Sequence, residues 1–269
     1  MTMQIKPYWM VEPSNKVKKR LEKIQKVGSI ERTVRKITYI LYPKLHGKDL
    51  ENAYNTTIKD VVRARILGMI PWKNIRENRC KFKNLEGYRN IKAFLATQEK
   101  DDLHLYYSRT KRPAHKYPFL VWFEKETVEP EFESVCRKYN VPWLNGRGQP
   151  TWTAKHDMAI KIMDWNWKIL YFGDNDEKGH EIYDVIKRDL KYQKCKPRMK
   201  WCMMTDKIEK KYDLPPNARL DGLELDELKI EIEKVIRKHI DIPHYETILR
   251  IEKKEKEELK NYKLVLQKK

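Results

Sequence analysis

The chain has 269 residues, with 58 Lys+Arg against 39 Asp+Glu, a net charge of +19 and 36% charged residues. That is more charged than an average soluble domain at about 25%, yet eight Trp, 15 Tyr and six Phe supply enough bulk for real cores and exclude wholesale disorder. No apolar run approaches the ~20 residues needed to span a bilayer, and Met1-Thr2-Met3-Gln4-Ile5-Lys6 lacks the apolar region of a signal peptide. Cys80, Cys136, Cys195 and Cys202 include no C-x-x-C pair, so free thiols of a cytoplasmic protein are expected rather than a disulfide frame or a zinc site. The seven His residues show no spacing that suggests a shared metal.

The positive charge is uneven. Residues 1–112 hold 26 Lys+Arg and 11 Asp+Glu, residues 113–249 hold 24 of each, and residues 250–269 hold eight and four. This asymmetry predicts a basic first domain over 1–112 facing a polyanion, a neutral second domain over 113–249, and a charged helical tail over 250–269. Double-stranded DNA is the expected partner of the first domain.

In chain order, residues 14–26 read as a polar helix stopped at Gly28, and Ser29 as the cap of a second helix over about 30–42. Ile30, Val34, Ile37 and Leu41 share one side of that second helix and are expected to pack inward. Opposite them lie Arg32, Arg35, Lys36 and Tyr39, with Arg35 one turn before Tyr39. A third helix, about 50–67, has Tyr54, Ile58, Val61 and Val62 on its inner side. Asn52, Thr56, Lys59 and Arg63 form a polar side suited to base edges and phosphates. Three short helices in a basic segment suggest a helix-turn-helix or winged-helix module.

From residue 117 strands and helices alternate. Phe119–Phe123 reads as a fully buried strand ending at Glu124. A helix over about 130–139, a short strand near Trp143, a turn at Gly146-Arg147-Gly148-Gln149-Pro150 and a helix over about 153–164 follow. Lys168–Phe172 is a second buried strand, running into Gly173-Asp174-Asn175-Asp176-Glu177-Lys178-Gly179 and then a helix to about Leu190. The class is therefore α/β, with a parallel sheet flanked by helices.

Ligands of such sheets bind outside the carboxyl ends of the strands, where Glu124, Asp174 and Asp176 all fall. Three carboxylates at one edge call for a cation, and oxygen donors without His or Cys select Mg²⁺, with Mn²⁺ as a substitute. Gly179 is expected to let the helix start approach a phosphate. An EF-hand reading fails, because Lys178 takes a ligand position and Val185 stands where the bidentate Glu belongs.

Taken together, Phe123-Glu124-Lys125-Glu126, Gly146-x-Gly148-x-Pro150 and Asp174-x-Asp176-x-x-Gly179-x-x-Ile182 resemble a Toprim domain. Thr33-x-Arg35-x-Ile37-x-Tyr39 resembles the motif around the nucleophilic Tyr of topoisomerase VI A subunits and the related meiotic break-forming transesterase. The order, winged helix and then Toprim, is that family's, and the short length resembles its stand-alone Mini-A relatives. The resemblance implies Tyr39 as nucleophile with Arg35 as its phosphate-binding companion, and Glu124, Asp174 and Asp176 as metal-binding and acid/base carboxylates. It further implies double-strand cleavage by a homodimer through a 5′-phosphotyrosyl link, with an ATPase B-type subunit as a further partner. Lys36 and Thr38 depart from the motif, which commonly has an acid after the Arg and an aromatic before the Tyr. Two other functions fit the same residues: a Toprim nuclease that hydrolyses DNA with water, and a non-catalytic DNA-binding module acting through a partner.

Overall fold

The apolar stripes along the first 76 residues are too short to form a core singly, and they do so by crossing. The computed structural model describes residues 8–76, 82–83, 86–97, 103–163 and 166–266, the last six as backbone alone; Cys80 and the first seven residues lie outside these. The chain divides into two compact units, Met1–Asn78 and Arg79–Lys269.

In the first unit, helices α1 (Asn15–Val27), α2 (Val34–Leu41) and α3 (Gly47–Ile66) enclose Leu21, Ile24, Ile37, Val61, Ala64, Ile70 and Ile75. Helix α2 is shorter than the periodicity predicts. Arg32 N–H donates to the Asn74 carbonyl at 2.8 Å, and Arg76 N–H donates to the Arg32 carbonyl at 2.9 Å. This bridge holds the chain before α2 extended, so Thr33 rather than Ser29 caps the helix, accepting from Lys36 N–H at 3.2 Å. Ile30, expected inside, is consequently 57% exposed. Among the described residues of this unit that single bridge is the only β-pairing.

The second unit is a five-stranded sheet in the order β1-β3-β2-β4-β5, formed by Phe82–Lys83, Phe119–Phe123, Trp143–Asn145, Lys168–Phe172 and Arg198–Trp201 as β1 to β5. Strands β2 to β5 are parallel, and β1 joins β3 antiparallel at the edge. The chain is mixed α/β, as expected. The remaining helices are α4 (Ile91–Leu95), α5 (Leu103–Tyr106), α6 (Glu129–Tyr139), α7 (Trp152–Ile162), α8 (Glu177–Tyr192), α9 (Asp206–Lys211), α10 (Leu225–Arg237) and α11 (Ile242–Leu266).

Alternation along β2 and β4 splits the core into two layers. Phe119, Val121, Phe123, Leu170 and Phe172 face a layer completed by Phe132, Leu228, Ile232 and Ile248. Leu120, Trp122, Ile169 and Tyr171 face Met158, Ile162, Ile182 and Ile186. Apolar side chains on both faces are what a covered parallel strand requires.

The unit boundary falls at Asn78/Arg79, earlier than the charge step at 112. Long-range ion pairs explain why residues 103–112 join the second unit: Lys111 pairs with Glu252, Arg109 with Glu255 at 2.5 Å, and the Tyr107 hydroxyl donates to Glu255 at 2.7 Å. The tail read as a charged helix is thereby packed, with Glu252 and Leu259 buried.

A second buried pair joins α7 to α8, Lys155 Nζ to Asp189 Oδ2 at 2.6 Å, with Arg188 also on Asp189 at 2.9 Å. Removing one partner of a buried pair leaves an uncompensated charge. Lys155→Met is expected to destabilise the protein by about 3 kcal/mol, at the low end for such a loss because Arg188 remains. Urea unfolding checks this.

Candidate active site

The connection from β2 runs to β3 on one side, whereas that from β4 runs to β5 on the other. Adjacent strands whose connections diverge leave a crevice at their carboxyl ends, the usual ligand position in open parallel sheets. Register places Phe123 beside Phe172, and Glu124 N–H donates to the Phe172 carbonyl at 3.1 Å. Glu124 and Asp174 therefore flank this crevice, 7% and 3% exposed.

Asp174 N–H approaches Glu124 Oε2 at 3.4 Å. Burial raises the Glu124 pKa, and the neighbouring charges of Asp174 and Asp176 raise it further. The Tyr171 hydroxyl, buried against Glu124 and Asp174, is also shifted upward, first by burial. Burial and the two aspartates thus disfavour the charged form of Glu124, only partly offset by the Asp174 N–H and Lys125.

The two aspartates are held differently. Asp174 Oδ1 accepts from Leu220 N–H at 2.9 Å, and its Oδ2 lies 3.1 Å from Lys125 Nζ. Asp176 caps α8, accepting from Gly179 N–H at 2.7 Å, with Arg219 Nε at 3.9 Å. Among the described residues no group of three or more His, Cys, Asp or Glu side chains stands ready to hold a metal ion. The donor chemistry fits a hard divalent cation, and mutual repulsion at Glu124 is what such a cation would relieve. As arranged, Lys125 and Arg219 supply positive charge to the two aspartates.

Sequence reasoning missed the segment that completes this edge. Asn175 N–H donates to the Ala218 carbonyl at 3.0 Å, and Glu209 Oε1 accepts from Asn175 Nδ2 at 2.8 Å and Ala218 N–H at 2.9 Å. Residues 218–222 are so drawn over the aspartate loop, and Asp221 Oδ2 comes within 3.6 Å of Lys125 Nζ. Nothing local in that polar stretch signals this pairing.

Gly179 acts through packing within the chain. A Cβ there would meet the Asp174 carbonyl oxygen at 2.2 Å, so only glycine lets α8 start against the loop that presents Asp174.

In the first unit, Tyr39 is 45% exposed on α2. Hydrogen bonding with its phenol is the leading reason that the Arg35 pKa is raised. The Arg35 guanidinium also lies 4.2 Å from the centre of the Tyr54 ring and 3.9 Å from Glu51 on α3. Lys36 and Lys59 are exposed, as is Asn52, and the Thr56 hydroxyl donates back to the Asn52 carbonyl at 3.0 Å. Two residues expected on the DNA-facing surface turn elsewhere. Arg32 donates to the Val27 carbonyl at the end of α1. Arg63 is buried, donating to the Tyr8 carbonyl, because α3 covers that side with residues 8–10. Compared with known proteins, the chain matches no family model and no curated protein.

Two outcomes follow from this geometry. Gly179→Ala should lower the melting temperature and perturb the loop that carries Asp174, read by thermal unfolding and by amide exchange at residues 173–179. Glu124→Gln should raise the melting temperature at neutral pH without divalent ions. The sign follows because an acid whose native pKa is raised binds more protons folded than unfolded, so stability falls as pH rises through that window. The gain should vanish below about pH 4, where the carboxyl is protonated in both states; thermal melts across pH check it.

Proposed function

We propose that the protein is a metal-dependent DNA-cleaving transesterase resembling the topoisomerase VI A subunit, its first unit a winged-helix-like DNA-binding module and its second a Toprim domain. The observation that carries this reading is the pairing of Glu124 with Asp174 at the crevice between β2 and β4, where burial and Asp174 and Asp176 raise the Glu124 pKa. The exposed Tyr39 with Arg35 beside its phenol supports it from the other unit.

In this reading the Tyr39 phenol oxygen attacks a DNA phosphorus. The P–O bond to the 3′-oxygen breaks, the phenolic proton is lost, and the 3′-oxygen is protonated, leaving a 5′-phosphotyrosyl link. A Tyr of ordinary pKa is ionised in only about one molecule per thousand at pH 7, so a cation beside the phenol matters. Arg35 is that cation, and it also favours the anionic phosphate. Glu124, Asp174 and Asp176 would hold Mg²⁺ or Mn²⁺, which supplies charge neutralisation at the phosphate. Glu124, with its raised pKa, is the carboxyl best suited to carry a proton. Lys36, Lys59, Asn52 and Thr56 would contact the duplex, and a homodimer, with or without an ATPase B-type subunit, would cut both strands.

The test is incubation with end-labelled duplex and Mn²⁺, followed by denaturation. A 5′-linked covalent adduct that falls to background in Tyr39→Phe, and in Asp174→Asn, is expected. Cut DNA with free ends, indifferent to Tyr39→Phe, would assign hydrolysis by water, and retention without cutting would assign a binding module.

A further inference from the structure

The second unit looks neutral over residues 113–249 only because its charges are averaged along the chain. In space part of that charge separates, although Lys125 and Arg219 stay with the acids of the crevice. The acids of the crevice stand at the carboxyl ends of β2 and β4, whereas cations gather at the amino ends. Lys168 opens β4 and Arg198 opens β5, and the two are register partners on adjacent parallel strands; Lys200 follows on β5 opposite Leu170. Lys116 lies before β2, and Lys238 follows α10.

These residues surround one buried group. His239 is 5% exposed, and its Nδ1 meets the Tyr117 hydroxyl. Lys168 Nζ donates to that hydroxyl at 3.1 Å. The Arg198 guanidinium sits 5.9 Å from the centre of the Tyr117 ring. Lys116 Nζ donates to the Lys238 carbonyl at 3.1 Å. Burial first, and then the charges of Lys168, Lys200, Lys116 and Lys238, together lower the His239 pKa to about 4, so all four ammonium groups lie in electrostatic reach of one ring.

Like charges at facing register positions are destabilising, and none of these five cations is ion-paired among the described residues, whereas Lys111, Lys125, Lys138, Lys155 and Lys211 each meet a carboxylate. Lys116, Arg198, Lys200 and Lys238 are exposed. Uncompensated cations kept together at such a cost fit a ligand with several anionic groups in a row.

We propose that the amino-end edge formed by Lys116, Lys168, Arg198, Lys200 and Lys238 binds the phosphate backbone of duplex DNA, as a second contact surface separate from the tyrosine-bearing unit. The choice of DNA as the polyanion rests on the function proposed above; the cationic edge itself does not. It reads no sequence, since ammonium groups on phosphates position a duplex without specifying bases.

The test measures binding of a fluorescein-labelled duplex to the full chain, with EDTA present so that no cleavage intervenes, at salt concentrations from about 50 to 200 mM. Three full-length variants are compared with wild type: Lys116→Gln/Lys200→Gln/Lys238→Gln at this edge, Arg35→Gln/Lys36→Gln/Lys59→Gln in the first unit, and Lys229→Gln/Lys253→Gln/Lys254→Gln on α10 and α11. Each lost phosphate contact reduces the slope of log K against log salt by about 0.9, so the edge variant should lose about 2–3 in slope and at least about tenfold in affinity at low salt. The α10/α11 variant should keep the wild-type slope. Wild-type binding by the edge variant, with weakening of the first-unit variant, would overturn this inference and leave the proposed function standing. Equal losses in the edge and α10/α11 variants would reduce the effect to net charge and also overturn it. Absence of DNA binding by wild type would overturn both readings. Unchanged melting temperatures and circular dichroism establish that the variants are folded.

Discussion

Everything in the second unit depends on two five-residue strands, apolar but for Lys168, lying side by side in register. Phe119–Phe123 and Lys168–Phe172 pair residue for residue, and every side chain except Lys168 is buried in one of the two layers. Such strands cannot slip by one residue without exchanging the faces of all their side chains. The first polar residues after each strand therefore emerge at one place, and those residues are Glu124 and Asp174. The crevice is a consequence of connection order, and its acidity follows from where the two apolar runs stop.

The same alignment has an opposite end. If the strands finish together they also begin together, and a chain that places carboxylates after its strands can place cations before them. Here Lys168 and Arg198 are first residues of neighbouring strands. A count along the sequence averages these two ends to zero, whereas the fold holds them apart by the length of a strand. Exposed positive charge is accordingly not confined to the first unit, and the division into one basic and one neutral domain gives way to a basic helical unit and an α/β unit with unlike ends.

Legibility in the sequence tracked how local the governing interaction is. The strands and the helices α6, α7 and α8 were readable, because hydrophobic run length and periodicity report burial directly. The position of Glu124 and Asp174 followed from them. The start of α2 was not readable, since Ser29 is a good cap and only the bridge between Arg32 and residues 74–76 rules it out. The unit boundary was hidden for the same reason: residues 103–112 are tied by Arg109 and Lys111 to Glu255 and Glu252 on α11, more than 140 residues away in sequence. Arg63 fitted a polar helix face by spacing, but residues 8–10 cover it. Asp221 entered the acidic edge through the Asn175–Ala218 and Leu220–Asp174 hydrogen bonds, which no motif announces.

The nucleophilic role proposed for Tyr39, one Tyr among fifteen, turns on its immediate neighbours. A half-exposed Tyr on a helix is ordinary, and an Arg one turn earlier is often a solvated neighbour. Arg35 is exposed but not without neighbours: its guanidinium lies over the Tyr54 ring and near Glu51 on α3, and Tyr39 is the leading cause of its raised pKa. Glu51 offsets part of the Arg35 charge. A phosphate drawn to Tyr39 would compete with Glu51 for the same guanidinium, and an exposed pair at 3.9 Å is weak enough to yield. Arg35 thus carries only a weak, exposed carboxylate contact. An arginine committed to a buried carboxylate, as Arg20 is to Asp60 at 2.5 Å on the same unit, would have no such freedom.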